Sequence, residues 1–264
     1  MMPTMLWKLA AGGLIFATAP ALAQSPFDGT WKAQLSSMKN QAKPQTYALQ
    51  GSTYRCVTCT PPYSVPADGQ FHKVTGMDYW DEVAISTPDD RTVTYQFKRA
   101  GQVIANNTST ISADGLTLST VSSNTNNGAG TPVETKGSAT RVGKPAAGAH
   151  LLSGSWAFAP PTAVSDAGMT VSIKTDGDKL QLTSLGETLN ATFGGPFALN
   201  EGDPGKTMTK AERVGPRSMR LTDMRGGKVV GVTTYTVAPD GKTLTGMGRN
   251  MLNGSTNSFT ATKQ

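Results

Sequence analysis

Short runs of alternating apolar and polar residues fill most of the chain, and turn residues separate them. Val93, Tyr95 and Phe97 alternate with Thr92, Thr94, Gln96 and Lys98, the period-two pattern of a strand with one buried face. Arg99-Ala-Gly101 turns that run into the next, and Asp114-Gly115 and Asp240-Gly241 mark further hairpins, since Asp tolerates and Gly prefers positive φ. In the first half this spacing predicts strands near 28–35, 45–50, 53–57, 71–76, 80–87, 91–99, 102–112 and 116–123, and a closing strand near 133–142. Long stretches of helical period are missing. Successive hairpins imply an antiparallel up-and-down meander, and closing it into a barrel removes its edges.

The same pattern occurs twice. Arg91-Thr-Val93-Thr-Tyr95 matches Arg217-Ser-Met219-Arg-Leu221, an offset of 126 residues (217 − 91). At that offset Gly101-Gln-Val103 falls on Gly227-Lys-Val229, Ile111-Ser-Ala-Asp114-Gly115 on Val237-Ala-Pro-Asp240-Gly241, and Gly69-Gln-Phe71 on Gly195-Pro-Phe197. Asp28-Gly29-Thr30-Trp31 matches Ser153-Gly154-Ser155-Trp156 one residue out of step. A repeat this long exceeds a solenoid unit of about 20–45 residues, so each copy is expected to carry its own core. The expected division is a first β-barrel over 24–142, a linker over 143–150 (Gly143-Lys-Pro145-Ala-Ala-Gly148-Ala-His150) and a second over 151–264.

Gly-x-Trp on the first strand of each copy, followed by a meander of about eight strands, resembles the calycin superfamily of lipocalins, fatty-acid-binding proteins and avidins. The resemblance implies a cationic side chain on each copy's last strand, packed over the first-strand tryptophan. Arg141 would then cover Trp31, and Lys263 would cover Trp156. The contact would be worth about 0.5–2 kcal/mol.

The first residues set the expected compartment. Lys8, the apolar run Leu9 to Ala19, Pro20 and then Ala21-Leu22-Ala23 read as a cleaved signal peptide over 1–23, which sends the product to the periplasm or the exterior. No other segment is long and apolar enough for a membrane span. The net charge of +6 is scattered, without the basic stripe and interleaved aromatics of a nucleic-acid surface.

Candidate chemistry is sparse. Cys56-Val-Thr-Cys59 is followed by Thr60-Pro61-Pro62, and the prolines forbid the helix that a redox Cys-x-x-Cys needs. With only His72 and His150 as further soft ligands, a disulfide is favoured over a metal site. His72 reads as a solvent-facing strand residue rather than a general base. Asp78-Tyr79-Trp80-Asp81-Glu82 joins carboxylates to aromatics, which suits acid–base chemistry or, more simply, a strand with its aromatics inward. No phosphate loop, dinucleotide fingerprint or metal set occurs, so no cofactor is implied.

The sequence therefore predicts a binding protein without enzymatic activity, taking a small apolar ligand inside a barrel. Trp80, Tyr95 and Phe97 are the expected lining. The alternative is a periplasmic protein partner met through loops, with Thr60 to Asp68 as the contact surface.

Overall fold

The computed structural model describes residues 25–144 and 148–264; the expected signal peptide falls outside them. Among the described residues the regular structure is β-strand apart from two short 3-10 turns. The first strands are β1 (Gly29–Ala33), β2 (Lys39–Gln41), β3 (Gln45–Gln50), β4 (Thr53–Cys56), β5 (Tyr63–Pro66) and β6 (Phe71–Lys73). Longer strands follow: β7 (Glu82–Asp89), β8 (Thr92–Arg99), β9 (Gln102–Ile111), β10 (Thr117–Asn124) and β11 (Val133–Val142). The second set runs β12 (Gly154–Phe158), β13 (Ala163–Val164), β14 (Thr170–Asp176), β15 (Lys179–Ser184), β16 (Glu187–Thr192) and β17 (Ala198–Glu201). It ends with β18 (Met208–Gly215), β19 (Ser218–Arg225), β20 (Lys228–Val237), β21 (Thr243–Asn250) and β22 (Thr256–Lys263).

These strands make two antiparallel, barrel-like sheets with separate cores. Each has about ten strands around it rather than the eight expected. The extra ones are short strands that the alternation did not predict, β2 and β5 in the first copy.

Sheet membership departs from the expected division. β1 lies between β14 and β22, with Trp31 opposite Val171 on one side and Lys263 on the other. β12 lies between β3 and β11, with Trp156 opposite Gln45 and Arg141. Each copy has given its tryptophan strand to the other. The first barrel is thus a continuous stretch from β3 to β12, and the second takes β1 from the far end of the chain. Residues 143–150 are not a linker between barrels, because they join β11 to β12 within one sheet. The crossings are 34–44 and 159–169. Each is pinned by a short ladder, β2 on β22 and β13 on β11.

The cation–tryptophan pairs are exchanged accordingly. The Arg141 guanidinium sits 4.2 Å from the Trp156 ring centroid, and Lys263 Nζ lies 5.3 Å from that of Trp31. The expected pairs, Arg141 with Trp31 and Lys263 with Trp156, assumed that each strand stayed in its own copy. The surroundings of the two rings still match. Both are fully buried. Each indole N–H donates across 2.8 Å to the carbonyl four residues earlier, Phe27 for Trp31 and Leu152 for Trp156. Burying an indole of about 150–250 Å² contributes about 4–6 kcal/mol before entropy is counted.

The glycine of Gly-x-Trp has a physical reason. Gly154 has φ +128°, and a Cβ there would lie 2.7 Å from Arg141 Nη1; Gly29 has φ +138°, and its Cβ would lie 2.5 Å from Lys263 Cε. The cation crosses the strand where a side chain would otherwise stand. Arg141 cannot shift easily, since Nε donates to Gly115 O at 2.6 Å, Nη1 to Ser153 O at 2.8 Å and Nη2 to Leu151 O. Gly154→Ala is therefore expected to lower stability by about 1–3 kcal/mol, whereas Gly51→Ala, at an open turn with nothing within 4 Å, costs less. Urea denaturation of the two variants checks the difference.

Candidate functional site

The first barrel is hollow. A cavity of about 470 Å³ lies inside it, walled by residues from β3, β4, β5, β8, β9, β10 and β12 and by the segments around them. The inward faces of these strands place Tyr47, Tyr54, Tyr63 and Tyr95 around it, with Trp80 and Phe97 at one side and Asn107, Ser109 and Thr120 at another. No charged side chain lines it.

Five rings form a closed circuit. Centroid separations are 5.3 Å for Tyr63–Trp80, 5.1 Å for Trp80–Phe97, 6.4 Å for Phe97–Tyr95, 5.7 Å for Tyr95–Tyr54 and 5.9 Å for Tyr54–Tyr63. Such edge-to-face and offset contacts hold the rings in fixed orientations at about 0.5–1.5 kcal/mol each. Trp80, Tyr95 and Phe97, singled out in the sequence, all lie in this circuit.

Ladder registers allow the two barrels to be compared position by position. Tyr47, Tyr54, Tyr63 and Tyr95 occupy the places of Ile173, Leu180, Leu189 and Leu221. Four inward aliphatics of one barrel are hydroxylated rings in the other. Conversely, Ser109 and Gly137 stand where the second barrel has Tyr235 and Phe259. The Phe259 ring lies so close over Gly246 that a Cβ there would meet it at 2.5 Å. Tyr235 packs edge-on against it at 6.4 Å. These two rings narrow the second interior, where the recess beside Trp31 holds only about 220 Å³. Tyr47, Tyr54 and Tyr63 were missed from sequence, although aligning the repeat and asking where an aliphatic becomes tyrosine would have found them.

The electrostatics follow from burial. Desolvation, reinforced by the neighbouring phenol Tyr63, pushes Tyr47 up to about 12, and desolvation does the same for Tyr63. Tyr54 and Tyr95 are raised further by burial and by the phenols around them. The lining stays neutral throughout the physiological range. Asn107 Oδ1 is buried without a hydrogen-bond partner, an exception in a folded interior.

The remaining sequence candidates take structural places. Cys56 and Cys59 are joined as a disulfide with Cα atoms 5.5 Å apart, and Cys59 belongs to the cavity wall. The segment from Thr60 to Asp68, expected as a contact loop, instead contains barrel strand β5 paired to β4, with Thr60 and Tyr63 in the cavity wall. His72 Nε2 lies 2.9 Å from Asp68, partly exposed. The Asp78–Glu82 segment divides its side chains. Trp80 enters the cavity, the Asp81 carboxylate accepts from the Ala100 N–H at 2.9 Å, and Asp78 lies 3.5 Å from Arg225 Nε of the other barrel.

Tyr79, from the same segment, plugs the second barrel. A Cβ on Gly205 would meet its ring at 2.7 Å, and the Arg225 guanidinium lies 4.8 Å from its centroid. Arg99 ties the two barrels beside it, donating to Asp78 O at 2.8 Å and to Pro204 O. In return Asn250, Leu252 and Asn253, on the β21–β22 hairpin, form part of the first cavity's wall. Each barrel contributes to the other's opening.

No protein-family model matches the chain, and no curated protein matches it.

The tyrosine shifts give a signed pH dependence. Unfolded phenols ionise near the ordinary value of 10.0, while folded Tyr47 and Tyr63 hold their protons to about 12. Above about pH 10 the unfolded chain thus binds fewer protons, and stability falls by about 1.4 kcal/mol per pH unit for each such tyrosine. The stabilisation is full below the unfolded value and is lost as pH rises through the folded one. Absorbance titration of phenolate on native protein is expected to show these residues titrating late. A native curve with every tyrosine ionising near 10 would contradict the site geometry.

Proposed function

We propose that the protein binds a small neutral ligand inside the first barrel. The replacement of four inward aliphatics by tyrosines, around a cavity left open by Ser109 and Gly137, carries this reading. A barrel filled for stability alone would repeat the aliphatic interior of its partner copy. Rings supply flat apolar contact, and hydroxyls together with Asn107, Ser109 and Thr120 supply directional hydrogen bonds. The ligand is accordingly amphipathic rather than wholly apolar, with a ring or fused-ring face and a hydroxyl or carbonyl group. A volume of about 470 Å³ falls in the usual range for small-molecule sites of about 300–1,000 Å³. The lack of charged lining disfavours ionised ligands, whose desolvation would go uncompensated.

The barrel with its cation-covered Gly-x-Trp supports a relationship to calycins, in which a ligand occupies the barrel interior. The disulfide supports an oxidising compartment, the periplasm or the exterior. The binding role is non-catalytic. The second barrel acts mainly as scaffold, and its β21–β22 hairpin completes the site wall.

A neutral hydroxylated aromatic, 2-naphthol, serves as a probe, read by isothermal titration calorimetry. Filling the cavity with the second barrel's own residues, Ser109→Tyr and Gly137→Phe together with Thr120→Gly to admit the phenylalanine ring as Gly246 does, is expected to weaken binding by about tenfold or more while the fold is kept. Saturable binding by the wild type, and a co-purifying small molecule in mass spectra of gently isolated protein, would support the role. No probe uptake by the wild type, or undiminished uptake by the filled variant, would end it.

A further inference from the structure

The outer face of the second barrel carries a feature that the ligand reading does not use. Strands β20, β21, β22 and β2 lie side by side, and two rows of residues cross them on one face. Thr234, Met247, Ser258 and Lys39 are successive partners in the first row; Val232, Arg249, Thr256 and Gln41 are successive partners in the second. A recess of about 550 Å³ runs along this face, with Met251 at one side. Met247 is 63% exposed, the most exposed of the large apolar side chains. An adjoining recess shares Gln41 and adds Lys43.

Three further observations bear on what this face receives. β2 is the last strand of its sheet: among the described residues it pairs with β22 alone, and Lys39–Gln41 are exposed throughout. Its other side is unpaired, a short edge that an added strand can extend. The charge is also one-sided, for Lys39, Lys43 and Arg249 line the two recesses and no carboxylate does. No aromatic ring lies there to stack a base, which argues against single-stranded nucleic acid.

We infer that this face docks an extended acidic segment of a protein partner, added as a strand along β2. Main-chain hydrogen bonds to the free edge would hold it. Carboxylates on the recess side would meet Lys39 and Lys43 beside the edge and the long Arg249 side chain reaching from β21. An anionic bilayer could use the charge but offers no backbone to the edge. The face adjoins the barrel cavity at Asn253, so the test uses positions that do not line the cavity.

The test uses the whole mature protein and two labelled peptides of alternating sequence, one of Glu and Val, the other of Lys and Val. Fluorescence anisotropy is expected to show saturable binding of the acidic peptide and binding of the basic one at least about tenfold weaker. Lys39→Glu with Arg249→Glu should lower affinity for the acidic peptide by about tenfold or more. Met247→Ser, on β21 and two strands in from the edge, should leave it unchanged. All three positions are exposed, and unchanged melting of the variants shows that the fold is intact. Hydrogen exchange should slow at the amides of 39–41 when the acidic peptide is bound. Failure of the wild type to bind the acidic peptide, equal binding of both peptides, or indifference to the charge reversal would overturn the inference. Sedimentation with phosphatidylglycerol vesicles in place of peptide binding would assign the face to a lipid surface instead.

Discussion

The structure depends on a cation laid across a glycine onto a buried tryptophan, made twice and each time between strands that come from different copies. Arg141 and Lys263 close the barrels that contain Trp156 and Trp31, and neither could do so past a side chain at Gly154 or Gly29. Because the tryptophan strands are exchanged, closing each barrel also fastens it to the other. Asp28 and Ser153 act at the same joints, the first accepting from the Thr175 N–H at 2.7 Å and the second from the Leu49 N–H at 2.9 Å. Two duplicated units have become one body without sharing a core.

That coupling leaves the interiors free to diverge. The second barrel needs Tyr235 and Phe259 to fill its middle, and the places of the four tyrosines are aliphatic there. The first keeps the same backbone positions but trades them for hydroxylated rings and small residues, and so holds a neutral, hydrogen-bonding hollow. Tyr79 crossing one way and Leu252 the other mean that each barrel's opening is finished by its partner. The cavity proposed to take a ligand is therefore a property of the pair, although one barrel provides nearly all of its lining.

Much of this was legible in the sequence. Alternation around Val93, Tyr95 and Phe97 located β8, Asp114-Gly115 and Asp240-Gly241 located hairpins, and the offset of 126 located the second copy. Tyr95 and Phe97 were legible as inward aromatics because period two assigns faces, whereas Trp80, ahead of β7, was legible only as one of two aromatics in Asp78–Glu82. The exchange was not, for a plain reason. The two strand slots are equivalent, so Gly29–Ala33 and Gly154–Phe158 satisfy either one with the same local contacts. Only the paths of 34–44 and 159–169 decide between them, and those are irregular segments with short ladders. The extra strands were missed for a related reason, since short runs such as Lys39–Gln41 and Tyr63–Pro66 give too little alternation to read.

Cysteine pairing tests the exchange directly. Thr46 and Ser155 are ladder partners with their hydroxyls 2.8 Å apart across β3 and β12. In an unexchanged chain Thr30 would take the place of Ser155. The account predicts that Thr46→Cys with Ser155→Cys forms a cross-link under mild oxidation, seen by peptide mapping, whereas Thr30→Cys with Thr46→Cys does not. The opposite result would show that each copy keeps its own tryptophan strand, contradicting the exchanged closure on which the structure rests.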